Sequence, residues 1–302
     1  MKSTPTIGFI GFGEAGFGIA KGLAGAGASG ISSYDINRDT PVLGEKIWRR
    51  AQDSGVRLLS SSADLAAKSD IILSTVTADR AMEAAQQTAT FLEPRHTYAD
   101  LNSVSPHLKK SIAAVISRQG ARFVEAAIMS PVAGRGHRVP MFLSGADAPG
   151  LVEALSPYGM NLDVISENIG AAAAAKMCRS IVVKGLEALL LECVLAAVPN
   201  GADERVFATL DETFPGMNWK KLASYMTGRV VEHGERRARE LDEVAATLRD
   251  LGIDPIMTEA AARRQDWCAR LNLLPKFGGQ APADYREVVK AITQECETGS
   301  KD

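Results

Sequence analysis

Along the first half of the chain, short apolar runs alternate with longer amphipathic or small-residue stretches. Thr6–Ile10, Ile31–Tyr34, Ile71–Val76, Thr97–Leu101, Arg122–Ile128, Met141–Ser144 and Asp163–Ile165 read as strands, because continuous apolar runs bounded by turn signals fit strands buried on both faces. Between them, Phe17–Ala28, Ser62–Lys68, Asp79–Leu92 and Pro106–Arg118 read as helices, with Ser62 as a cap and Pro106 in a first turn that needs no N–H. Such alternation predicts a parallel, doubly wound α/β sheet with ligands at the C-terminal strand ends. After Ile165 the alternation stops. The remainder reads as helices over Gly170–Val198, Ala202–Thr209, Trp219–Tyr225, Thr227–Leu251, Met257–Leu271 and Tyr285–Thr293, punctuated by Pro199-Asn200-Gly201, Pro215-Gly216 and Leu251–Pro255. We therefore expect an α/β domain over residues 1–165 and an all-α domain over 166–302.

The first strand runs into Gly11-Phe12-Gly13-Glu14-Ala15-Gly16, and a helix follows. Strand, G-x-G-x-x-G and helix in this order form the dinucleotide-binding turn of a Rossmann-type sheet. Gly11 permits the tight turn, Gly13 lets the backbone approach a pyrophosphate, and Gly16 lets the helix lie against the strand. Phe12, Glu14 and Ala15 complete a cradle whose free N–H groups attract the anion. Asp35, at the end of the second strand, lies 19 residues beyond Gly16, the distance at which a carboxylate meets the adenosine ribose diol. That favours NAD, while Asn37 and Arg38 leave room for NADP. Thr75, Val76 and Thr77 leave the next strand over the same cofactor.

Polar groups gather where later strands end. Asp100–Pro106 and Glu125–Gly134 should both face the nicotinamide, which assigns Asn102 to the cofactor and Ser103 and Ser130 to a substrate carboxylate or hydroxyl. Five alanines, Ala171–Ala175, then precede Lys176 on a strongly predicted helix. Lys176, Arg179 and Ser180 share a face by their spacing. The segment His233–Arg239 is unusually basic; Arg236 and Arg239, three apart, either hold an acidic substrate or pair with Glu235, Glu240 and Glu243 on a solvated flank.

Composition narrows the partners. With 34 basic and 36 acidic residues the net charge is −2, too balanced for a nucleic-acid or anionic-membrane field, so a small molecule is expected. Cys178, Cys193, Cys268 and Cys296 form no C-x-x-C pair, and no metal site is visible. The first residues run almost directly into a strand, with no charged segment before an apolar one, and no apolar stretch of about 18 residues is free of charge; we expect a cytoplasmic protein with reduced thiols. The apolar run Ile181–Val198 predicts a homodimer through the helical domain.

The glycine turn, the Asp100–Pro106 loop, Glu125–Ala133 and the lysine helix, in this order, resemble the β-hydroxyacid dehydrogenases, which include 3-hydroxyisobutyrate and 6-phosphogluconate enzymes. Nearly the whole chain is covered. The family's lysine helix reads G-x-G-x-x-x-K-x-x-N-N; Gly170 and Lys176 match, Ala172 replaces the second glycine, and Arg179 and Ser180 stand in the polar positions. Its D-x-S-T-x-x-P loop appears as Asp100, Asn102, Ser103 and Pro106. In its D-A-P-V-S-G-G segment, Met129, Ser130 and Pro131 replace the residues that wrap the substrate carboxylate. Arg239-Glu240-Leu241 stands where many members have K-D-L, close to His233 and Arg236. The resemblance implies a divergent branch in which Lys176 exchanges a proton with the substrate hydroxyl while hydride passes to or from nicotinamide. An unperturbed lysine is too basic for this, so burial at a domain cleft and Arg179 one turn away should lower its pKa. An imine reductase shares this architecture, but Lys176 argues against it. A non-catalytic NAD-binding sensor is the other class to separate.

Overall fold

The computed structural model describes residues 4–299. The chain divides into two compact units, residues 1–176 and 177–302, so the division falls inside the lysine helix.

The first unit is built on an eight-stranded sheet in the order β3-β2-β1-β4-β5-β6-β7-β8. Its strands are β1 (Ile7–Ile10), β2 (Ser32–Tyr34), β3 (Arg57–Leu58), β4 (Ile71–Ser74), β5 (Thr97–Asp100), β6 (Arg122–Ile128), β7 (Met141–Ser144) and β8 (Leu162–Ser166). Helices α1 (Glu14–Gly25), α2 (Pro41–Ser54), α3 (Ser62–Ala67), α4 (Ala81–Ala89), α5 (Pro106–Ser117) and α6 (Ala148–Leu155) connect them. The reversal of order at β1 and β4 puts the glycine turn at the switch point, where open α/β sheets take ligands.

Both faces of the central strands are dry, whereas the edge strand β8 is largely exposed. Ile7, Phe9, Ile71 and Leu73 pack with Ile19 and Leu23 of α1 on one side, and Ile10, Ile72 and Tyr98 pack with Leu65, Ile112 and Ile116 on the other. Successive strand residues therefore enter opposite cores, as the pleat requires.

Four details differ from the sequence expectation. Helices α2 and α6 and the two-residue strand β3 are additional to the predicted elements. The cap of α3 is Ser61, whose hydroxyl accepts from the Asp64 N–H, not Ser62. Strand β7 runs antiparallel to β6, because residues 129–140 return without the long helical crossover that a parallel pairing needs. Trp219–Asp250 is one continuous helix and not two: Thr227 bonds its hydroxyl to the Ala223 carbonyl at 2.8 Å and so fits mid-helix.

The second unit is helical. The lysine helix α7 (Ala171–Ala197) continues into it and is followed by α8 (Asp203–Thr213), α9 (Trp219–Asp250), α10 (Ile256–Arg270) and α11 (Tyr285–Gly299). Leu190, Val194, Phe207, Trp219 and Tyr285 form one core; Leu191, Val230, Cys268 and Val288 form another. No helix among the described residues is long and apolar enough to cross a membrane.

Candidate active site

The glycine turn is sterically fixed at two positions and open at a third. Gly11 has φ +82°, and a Cβ there would lie 2.8 Å from both the Thr75 carbonyl oxygen and Val76 Cγ1. A Cβ on Gly16 would lie 2.6 Å from the Gly11 oxygen and from Thr75 Oγ1, so α1 is seated directly on the turn. Around Gly13 nothing lies within 4 Å of the Cβ position. Gly13 caps α1, and the first N–H groups of a helix have no partner within it. An anion can therefore meet both the bare backbone and those donors.

Beside the turn lies a cavity of about 540 Å³, lined by Gly11, Gly13, Asp35, Thr75, Val76 and Thr77 among others. Asp35 is 8% exposed; its carboxylate accepts from the Phe12 N–H at 2.7 Å and the Asn37 N–H at 2.8 Å. It thus holds the glycine turn while still facing the cavity. Thr75 donates its hydroxyl to the Gly11 carbonyl at 2.8 Å, which locks β4 to the turn.

Asn102 is buried and does not line the cavity. Its Oδ1 accepts from the Val76 N–H at 2.7 Å, and its Nδ2 donates to Ser74 Oγ at 3.0 Å. The side chain is a strut that sets the Thr75–Thr77 loop from behind. Below it, Lys109 is 1% exposed and donates to the Asp100 carbonyl at 2.7 Å, with the Asp100 carboxylate at 3.3 Å. Ser103 and Pro131 are exposed. The Ser130 hydroxyl is buried and has no hydrogen-bond partner among the described residues. A buried hydroxyl without a partner is costly, and at the end of β6 it is a ready contact for a polar ligand.

Glu125, fully buried in β6, reaches the start of α7. Its carboxylate accepts from the Gly170 N–H at 2.5 Å, from the Ala173 N–H at 2.6 Å and from the Ser144 hydroxyl. Two of the unpaired donors at the head of the lysine helix are thereby satisfied by one acid, whose charge also suits the positive end of the helix dipole, while the Ala172 N–H donates to Ser144 Oγ at 3.4 Å and the Ala171 N–H to the Asn168 carbonyl at 3.3 Å. Gly170 has φ +102°, and a Cβ there would press on Pro106 and Lys110 at 3.2 Å. Ala172 and Ala173 are buried; nothing larger would let the helix sit so close. Lys176 is half-buried within the same compact unit as the glycine turn.

In the helical unit, Arg179 is exposed and Ser180 half-buried. Arg236 pairs with Glu240, and Arg239 with Glu235 at 2.5 Å, both exposed i,i+4 pairs. His233 lies 3.7 Å from Glu232; burial and the cations Arg229 and Arg236 hold its pKa below the usual imidazole value. Sequence spacing gave no sign of Arg237, which is buried against Glu187. Its partner lies 50 residues away, beyond any local pattern.

Comparison with known proteins places this geometry. Residues 6–153 match the NAD-binding domain of 6-phosphogluconate dehydrogenase, and residues 197–268 match a domain of unknown function, DUF1932. A conserved hypothetical protein from Sinorhizobium meliloti is 35% identical, with 97% of each chain covered and a TM-score of 0.82. A conserved protein of unknown function, noted for structural similarity to 3-hydroxyacid dehydrogenases, is 30% identical over 88% of this chain and 98% of its own, with a TM-score of 0.74. The mitochondrial 3-hydroxyisobutyrate dehydrogenase of Drosophila melanogaster is 26% identical over 70% of this chain and 64% of its own length. The first unit is thus a nicotinamide-dinucleotide-binding domain of Rossmann type, joined to a helical one. The chain belongs to the β-hydroxyacid dehydrogenase family, in a divergent branch.

Proposed function

We propose that the chain is an NAD(P)-dependent dehydrogenase that acts on the hydroxyl carbon of a small hydroxyacid or sugar acid, with Lys176 as general base in oxidation and general acid in reduction. What carries this reading is the anchoring of the lysine helix: Glu125 takes both the Gly170 and Ala173 N–H groups, which fixes the turn just before Lys176 to β6 of the nucleotide-binding sheet. When bound, the nicotinamide accepts or returns the hydride. The chain's part is to hold the hydroxyl and move its proton. Lys176 Nζ takes that proton as the carbon is oxidised, and Ser130, with its unpaired buried hydroxyl, orients the acid. Ser103, Pro131, Arg179, Ser180 and His233 are the remaining candidates for substrate contact. Arg236 and Arg239 are already engaged by Glu240 and Glu235 and fit that role less well.

We further propose a homodimer through the helical unit, where Val182 and Leu189 of α7 are 70% and 57% exposed, and operation in a reducing, cytoplasmic setting. A stable monomer in analytical ultracentrifugation counts against the dimer. The catalytic reading is tested by screening hydroxyacids and sugar acids with both cofactors, then repeating the best pair with Lys176→Ala. Turnover should fall by about 10²–10⁴-fold, with cofactor affinity kept; unchanged turnover removes the lysine from the mechanism.

A further inference from the structure

The cavity beside the glycine turn carries more positive charge than an adenosine diol requires. Asp35 points toward NAD, yet its charge is already met by the N–H groups of Phe12 and Asn37. Facing the same cavity are two cations of α2, Lys46 and Arg50. They are four residues apart and share a helix face. Arg50 donates to the Phe12 carbonyl at 3.3 Å, which sets its guanidinium at the turn itself. A guanidinium has five N–H donors, so most of them remain for a ligand. Lys46 is exposed and makes no hydrogen bond or ion pair among the described residues. The third cavity cation, Arg80, is balanced by Asp79 and Glu83. Lys46 and Arg50 therefore leave a net positive charge beside Asp35.

The ribose hydroxyls of NAD have no use for that surplus. A 2′-phosphate, with about −1.5 to −2 charges at neutral pH, does. Arg38, the basic residue nearest Asp35 in sequence, does not line the cavity. Its guanidinium carbon lies 5.3 Å from the Trp48 ring centroid, and its Nε pairs with Asp39 at 3.2 Å.

We infer that Lys46 and Arg50 hold the 2′-phosphate of NADP, so that the cavity takes NADP as well as NAD in spite of Asp35. This rests on the nicotinamide-binding reading of the first unit. Two cationic donors on one helix face suit a phosphate: Arg as a bidentate fork, Lys as a point charge.

The test is direct binding of NADH and NADPH to the full chain, followed by the cofactors' own fluorescence and by calorimetry, with no turnover involved. NADPH should bind the unaltered chain about as tightly as NADH. Lys46→Ala, a surface change that leaves the fold alone, should weaken NADPH about tenfold and leave NADH unchanged. It should also flatten the salt dependence of NADPH binding. Arg50→Lys keeps the charge and loses the fork, so it should weaken NADPH by less, while Arg38→Ala leaves the ratio of affinities where it was. NADPH binding that is about a hundredfold weaker than NADH in the unaltered chain overturns the proposal and leaves the nicotinamide reading standing. Equal weakening of both cofactors by Lys46→Ala also overturns it, because the amine would then serve the shared pyrophosphate. Failure of both cofactors to bind overturns the two readings together.

Discussion

In the first unit the buried carboxylates are held largely by main chain; in the second the buried charges hold one another. Asp35 accepts from two backbone N–H groups, and Glu125 from two more at the head of α7. In the helical unit Arg237 donates to Glu187, Gln265 donates to the same carboxylate at 2.9 Å, and Lys184 lies 2.7 Å from Glu240. Main-chain partners persist whatever side chains change, so the first arrangement fixes loop and helix-end geometry at the site. Side-chain partners can be exchanged in pairs. The second arrangement ties α7, α9 and α10 together without dictating any backbone shape, and burial there weighs against the charge of Lys184, pushing its pKa down.

The largest expected effect separates the two arrangements. Arg237→Ala leaves Glu187 buried without its bidentate partner, with Gln265 and the less direct charges of Lys184 and Arg229, the latter 3.9 Å away, to meet it. It should destabilise the protein by about 3–5 kcal/mol, read from urea unfolding. Replacing both partners, Glu187→Met with Arg237→Met, should recover most of that loss, since well-packed apolar groups match a buried pair. A double variant no more stable than Arg237→Ala would mean that this cluster, like the acids held by main chain in the first unit, is irreplaceable.

Next comes the counterpart in the first unit. Glu125→Gln removes the charge and forces an amide NH₂ against at least one N–H or hydroxyl that now donates to the carboxylate. It should cost about 1–3 kcal/mol in thermal or urea unfolding. No apolar partner change can repair it, because the Gly170 and Ala173 N–H groups remain. Cofactor affinity should survive while turnover falls, as the lysine helix loses its anchor.

The same contrast explains what could be read from sequence. The glycine turn, Asp35, most strands and the lysine helix were legible because each depends on neighbours in sequence: an apolar run, a spacing of glycines, a stretch of alanines. Helix α2 was not, since it buries Gly44, Ile47, Ala51 and Ser54 while leaving Val42, Leu43 and Trp48 exposed, so its apolar residues do not mark its buried face. Strand β3 exists only as two residues paired to β2. Lys46 and Arg50 belong to α2 and share its lack of a sequence signal, whereas Arg38 stands three residues after Asp35. In the second unit the spacing of Arg236 and Arg239 was legible but pointed outward, whereas Arg237 between them turns inward to a partner on another helix. Main-chain capping by Glu125 also leaves no local pattern; only an acid in the middle of an apolar strand hints at it.

The smallest expected effect sharpens the distinction through pH. Asp70 in the first unit and Asp203 in the second both titrate below the usual carboxylate range. For Asp70, burial works in the opposite direction but is outweighed by the Thr6 N–H at 2.9 Å and the Thr6 hydroxyl at 2.8 Å, with Arg95 assisting. For Asp203, the Tyr285 hydroxyl at 2.6 Å is the main cause, and Arg286 at 2.8 Å adds to it against burial. A folded-state pKa below the unfolded value means that the unfolded chain binds more protons in acid. Each group's stabilisation is therefore complete above its unfolded value near 3.8 and is lost as pH falls through the lower folded one. Unfolding free energy followed from neutral pH down into that range should fall less steeply in Tyr285→Phe, because Asp203 then loses its chief donor. Thr6→Val should flatten the curve less, because the backbone N–H still bonds Asp70 after the hydroxyl has gone. Equal flattening by the two variants would show that the nature of the partner, main chain or side chain, does not govern how firmly a carboxylate is held.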